Sequence, residues 1–179
     1  MNKYVAFLRG INVGGNKLVK MEELRNCFES IGFQHIRTLL ASGNVLFDTP
    51  NKDIDSIIKQ IEEKLNERFG HKIKVMLRTP EQIQYLIDHN PFDKVVITPQ
   101  TRLYITFLIE KPKSSLKIPY ESPQKDVKIV RVSKTEVCTI LTLSPQRQTT
   151  DVMSIIEKEY GKNITTRNWN TIVKIVNIK

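Results

Sequence analysis

Apolar residues recur along the chain in two rhythms. In residues 3 to 9 they occupy both alternating sets, Tyr4, Ala6 and Leu8 on one and Val5 and Phe7 on the other. That pattern predicts a central strand covered on both faces. Met21, Leu24, Phe28 and Ile31 then follow helical spacing over roughly residues 20 to 31, and Gly32 stops the run. His35 to Ala41 and Val45 to Asp48 read as two strands joined through Ser-Gly-Asn, with a positive φ expected at Gly43. Ile54, Ile57, Ile58, Ile61, Leu65 and Phe69 form one stripe of a second helix. Asp53 and Asp55 favour its positive end, Gly70 ends it, and Lys72 to Arg78 supplies a fourth strand.

The order from residue 3 to 78 is therefore β-α-β-β-α-β, the ferredoxin-like (α-β plait) arrangement. A second half opens at Thr79-Pro80-Glu81-Gln82, where Thr79 and Gln82 make a capping box and Pro80 fits the first helical position. The helix runs to about His89 and Pro91 breaks it. Strands follow at Arg102 to Glu110, Val127 to Val132 and Glu136 to Leu143, the last two joined by a hairpin turn at Ser133-Lys134-Thr135. Helices are expected at about 150 to 160 and from about Arg167 to the end, with Thr165 or Thr166 capping the latter. The reading is an α+β chain of two packed plait-like subdomains, residues 1–79 and 80–179.

With 179 residues, 40% of them hydrophobic, the chain can bury a substantial core. It has no apolar run of about 18 residues and its N-terminus lacks the pattern of a signal peptide, so no membrane partner and a cytoplasmic location are expected. The net charge is +9. Seven basic residues between Lys111 and Lys134 face only Glu121 and Asp126, in a segment that also holds Pro112, Pro119 and Pro123 and reads as an exposed basic connection. Cys27 and Cys138 lie in expected elements without CxxC or Cys/His spacing, which makes them buried thiols. His35, His71 and His89 sit near element ends, scattered, and point to no metal site. No cofactor is implied.

The stretch Arg9 to Lys17, RGINVGGNK, is the candidate for chemistry. Gly10 and Gly15 have P-loop separation, but Asn16 stands where the phosphate-binding Lys is needed. The dinucleotide spacing GxGxxG fails too. Two readings remain: a glycine-permitted backbone nest for an anion, flanked by Arg9, Lys17 and Lys20, or a connection in which Gly14 and Gly15 only supply positive-φ turns between strand and helix. Ser42 lacks the GxSxG elbow of a nucleophile. An RNA-recognition fold shares the strand order, yet Tyr4 and Phe7 fall on opposite faces and no matching aromatic core occurs in the third strand.

RGINVGGNK followed by MEEL, then LLASGNVLF, then TTRNWNTIVK, resembles the bacterial domain-of-unknown-function 1697 family over essentially the whole chain. The resemblance implies two ferredoxin-like subdomains and no established activity. Its signature falls on Arg9, Gly10, Asn12, Gly14, Gly15, Ser42, Gly43, Asn44, Thr166, Arg167, Asn168 and Trp169. The expectation is that these stretches gather around a phosphate-bearing ligand, a nucleotide or nucleic acid. Arg9, Gly10, Asn12, Gly14, Gly15, Ser42, Asn44, Arg167 and Asn168 would be its binding residues. The alternatives are an enzyme acting on a small anionic metabolite, for which no general base, nucleophile or metal cluster is assembled, and a protein-assembly module.

Overall fold

The computed structural model describes residues 1–12, 18–110, 116–144 and 151–178. The protein is a mixed α+β chain with two antiparallel sheets and five helices among those residues. It divides into two compact units, Met1–Ile83 and Gln84–Lys179. No helix is long and apolar enough to cross a membrane among the described residues.

In the first unit β1 (Asn2–Leu8), β2 (Gln34–Leu39), β3 (Asn44–Thr49) and β4 (Val75–Arg78) form a sheet in the order β2-β3-β1-β4, every neighbouring pair antiparallel. Helix α1 (Met21–Ser30) connects β1 to β2, and α2 (Ile54–Phe69) connects β3 to β4. Alternation along β1 sends Tyr4, Ala6 and Leu8 into a core with Leu24, Phe28, Ile57, Ile61 and Leu65 of the two helices. Val5 and Phe7, on the opposite face, are buried as well, as expected for a strand apolar on both sides. Tyr4 and Phe47 are interior neighbours at 5.9 Å between rings, so the sheet offers no exposed aromatic pair there for stacking RNA bases.

The helix ends follow local chemistry. Asp53 accepts hydrogen bonds from the N–H groups of Asp55 and Ser56, and Gly70 closes α2 at φ +72° with its N–H donating to the Asn66 carbonyl. At α3 (Pro80–Asp88) the capping box forms: the Thr79 N–H donates to Gln82 Oε1 at 2.9 Å and the Gln82 N–H to Thr79 Oγ1 at 3.3 Å.

The second unit contains β5 (Thr101–Leu108), β6 (Tyr120–Glu121), β7 (Val127–Val132), β8 (Glu136–Thr142), α4 (Val152–Tyr160), β9 (Ile164–Asn168) and α5 (Trp169–Val176). Its strands run β6-β7-β8-β5-β9, all neighbours antiparallel. Leu108, Val127, Ile129, Val137, Leu141, Val152, Ile156 and Ile164 make a core between strands and α4.

Two expectations need correction here. The segment before α5 is a strand, and Thr165 and Thr166 do not cap the helix. Their β-branched side chains suit the sheet, where Thr166 Oγ1 meets Thr106 Oγ1 across the β5–β9 pair at 2.8 Å. The helix starts only at Trp169, directly from the extended Asn168. The basic connection is also partly folded: Tyr120 and Glu121 pair with β7, and Ser122 donates to a buried Asp126 carboxylate at 2.8 Å. Lys111 and Lys113 lie outside the described residues.

Candidate functional site

In the first unit the RGIN and SGN stretches touch. The Leu8 N–H donates to the Gly43 carbonyl at 2.8 Å, and the Arg9 N–H to the Lys74 carbonyl at 2.8 Å. Gly43 has φ +74°, and a Cβ there would lie 2.7 Å from Ile11 Cδ1 and 2.9 Å from Leu8 Cβ. The conformation favours glycine and the space requires it. Asn12, also left-handed at φ +56°, clamps three backbone groups. Its Nδ2 donates to the carbonyls of Val19 at 3.0 Å and Ala41 at 2.8 Å, and its Oδ1 accepts from the Val19 N–H at 2.7 Å.

Asn44 is wholly buried, and its Nδ2 donates to the Leu39 carbonyl at 2.8 Å and to Ser42 Oγ at 3.0 Å. Ser42 is exposed and accepts that bond. Asn12, Gly43 and Asn44 thus hold the two loops against each other, work that depends on amide geometry and a missing side chain. Arg9 is half-buried and Gly10 is exposed at φ +67°. Gly14, Gly15 and Lys17 lie outside the described residues.

The third stretch belongs to the second unit. Arg167 is buried in β9, where its Nη1 donates to Thr165 Oγ1 at 2.7 Å and to the Thr166 carbonyl at 2.9 Å. Burial lowers its pKa to about 10, which leaves the guanidinium charged at neutral pH. Asn168 and Trp169, one and two residues on, instead border a cavity of about 550 Å³ that they share with Asn170, Asn90, Phe92 and Arg102. Phe92 meets the Trp169 indole edge-on, with ring centroids 5.4 Å apart and planes at 76°. Arg102 is exposed, and its Nη1 donates to the carbonyls of Pro99 and Thr101 at 2.8 and 2.9 Å.

Of this cavity the sequence pointed only to Asn168 and Trp169. Asn90 and Phe92 stand around a helix-breaking Pro91, and Arg102 sits at the start of a strand. Only the strand pairing of β5 with β9 sets Arg102 and the TRNW stretch in one unit of sheet. Periodicity within a segment carries no record of that non-local pairing.

The cysteines and histidines are accounted for locally. Cys27 and Cys138 are free and buried; desolvation raises both thiols, Cys138 to about 11, which suppresses the nucleophilic thiolate. His71 and His89 Nδ1 lie 3.0 and 2.9 Å from the carbonyls of Phe69 and Tyr85 near helix ends, and His35 pairs with Asp48 at 2.9 Å. Among the described residues no cluster of three or more His, Cys, Asp or Glu side chains is arranged for a metal ion.

The family described as "Protein of unknown function (DUF1697)" matches residues 1–138. No curated protein matches the chain. A solved structure, that of conserved bacterial protein SP0830 from Streptococcus pneumoniae, is similar over 98% of this chain and 97% of that one. The TM-score is 0.70 at 19% identity, a likeness of fold. The chain belongs to the DUF1697 family.

Proposed function

We propose that this DUF1697-family protein binds a small phosphate-bearing ligand, and that the cavity beside Trp169 in the second unit receives it. The observation behind this reading is the combination of a cavity of about 550 Å³ with Arg102 and three asparagine side chains on its wall. That volume falls in the range of small-molecule sites, roughly 300–1,000 Å³. Arg102 supplies an always-charged guanidinium. Helix α5 begins at the cavity wall, so its positive end adds a second attraction for an anion. Calorimetric titration with ribose 5-phosphate tests the reading. Arg102→Ala is expected to weaken binding by about tenfold, the scale of one charged hydrogen bond. Unchanged affinity in that variant contradicts it.

A second reading keeps the phosphate at the Gly10–Asn16 backbone beside Arg9. Its support is the left-handed backbone at Gly10 and Asn12, alternate residues of the kind that build anion nests. Arg9→Ala separates the two: loss of affinity there, with Arg102→Ala silent, moves the site to the first unit. Nucleic acid as the ligand requires affinity that falls steeply with salt.

We also read both units as ferredoxin-like plaits, with the domain boundary at the Thr79 capping box. For the first, the support is the order β2-β3-β1-β4 with one helix in each split crossover. In the second, β7-β8-β5-β9 repeats that order.

A further inference from the structure

We infer that the cavity of the second unit takes a nucleobase against Trp169, so that its ligand is a mononucleotide and not a sugar phosphate; this rests on the phosphate-binding reading above. The cavity wall combines two chemistries. Trp169, Phe92 and Ile97 are flat or apolar, while Asn90, Asn168 and Asn170 end in carboxamides. A sugar phosphate offers the indole only a small C–H face and no flat π-surface. A lipid chain leaves three carboxamides facing hydrocarbon. A nucleobase satisfies both sets, with a π-face for the indole and an edge of alternating donors and acceptors for the carboxamides. Asn90 Oδ1 accepts from the Phe92 N–H at 2.9 Å, so Asn90 contributes its Nδ2 donor while Asn168 and Asn170 offer both kinds of group.

Two further features fit a ring. Ile97 is an apolar side chain 62% exposed on this wall, and covering it removes apolar surface from water. Phe92 is itself buried and holds its edge-on contact with Trp169, which limits reorientation of the indole before a ligand arrives. Among the lining residues there is no carboxylate to repel the phosphate that Arg102 attracts.

The chain has one tryptophan, so indole fluorescence reports on this cavity alone. The purified protein is titrated with AMP, GMP, CMP and UMP, with ribose 5-phosphate and with inorganic phosphate, by fluorescence and by calorimetry. At least one mononucleotide is expected to change the Trp169 emission saturably and to bind about tenfold or more tighter than ribose 5-phosphate. Trp169→Leu should remove that advantage, a loss of about five- to a hundredfold, while ribose 5-phosphate still binds and so reports an intact fold. Asn170→Ala, at an exposed position, should lower affinity for the preferred nucleotide and leave ribose 5-phosphate unaffected. Equal binding of ribose 5-phosphate and all four nucleotides overturns the nucleobase assignment and spares the phosphate reading. Binding of none of these probes overturns both. Binding of oligonucleotides alone, with steep salt dependence, replaces the mononucleotide by a nucleic-acid strand.

Discussion

At the scale of the residue, the carboxamides of Asn12 and Asn44 are occupied within the protein itself. Asn12 spends its amide on Val19 and Ala41, and Asn44 on Leu39 and Ser42. Their identity is explained without a ligand: a left-handed residue that must also reach three backbone groups is well served by asparagine. Asn12→Asp removes two donated bonds and sets a carboxylate beside two carbonyls, at an expected cost of about 1–3 kcal/mol. Gly43→Ala meets both a forbidden φ and a contact with Leu8 Cβ, with a loss of similar size, about 1–3 kcal/mol. Urea denaturation measures both. Ile11→Ala costs about 2–5 kcal/mol by itself because Ile11 is buried in the core. Combined with Gly43→Ala, the total should fall short of the sum of the two single losses, since the Ile11 contact is relieved while the positive φ and the Leu8 contact remain. Strict additivity, or single variants as stable as the parent, would show that these loops are not held as described.

Elements were legible where their signals were local. The stripe from Ile54 to Phe69, the Asp53 cap and the Gly70 stop all lie within one helix, and α2 has those bounds. The Thr79–Gln82 box and the positive φ at Gly43 were equally readable. Strand β9 was not: Thr165, Thr166, Arg167 and Asn168 are polar and lead into a helix, so they resemble a cap. What makes them a strand is β5, about 60 residues away, through the Thr106–Thr166 contact and the register from Tyr104↔Asn168 to Leu108↔Ile164. β6 is illegible for the same reason, being two residues that become a strand through pairing with β7, with Tyr120 packed against the core of the unit. The candidate cavity inherits this limit, since Arg102 and Asn168 stand on neighbouring strands that no sequence window contains. For α2 the expected outcome is quantitative: Asp53→Ala leaves the Asp55 and Ser56 amides without that acceptor and should cost about 1 kcal/mol in thermal or urea unfolding. A variant with unchanged stability contradicts the cap's role.

At the scale of the whole molecule, the charge is unevenly divided. From Gln84 to Lys179 there are 15 basic and 9 acidic side chains, so 15 − 9 = +6 of the +9 belongs to the second unit. That unit also holds the cavity with Trp169 and Arg102. For the anionic ligand we propose, that surplus favours approach before any specific contact forms, an effect that added salt reduces. Arg167 is buried in β9, where it donates to Thr165 and Thr166, and its neighbours Asn168 and Trp169 line the cavity. The Trp169 cavity as the seat of a mononucleotide is tested most directly by a crystal structure of the protein grown with a saturating mononucleotide chosen by titration. The base is expected against the Trp169 indole, with the phosphate within hydrogen-bond reach of Arg102. A nucleotide seated instead at the Gly10–Asn16 loop, or an empty Trp169 cavity at saturation, would contradict it.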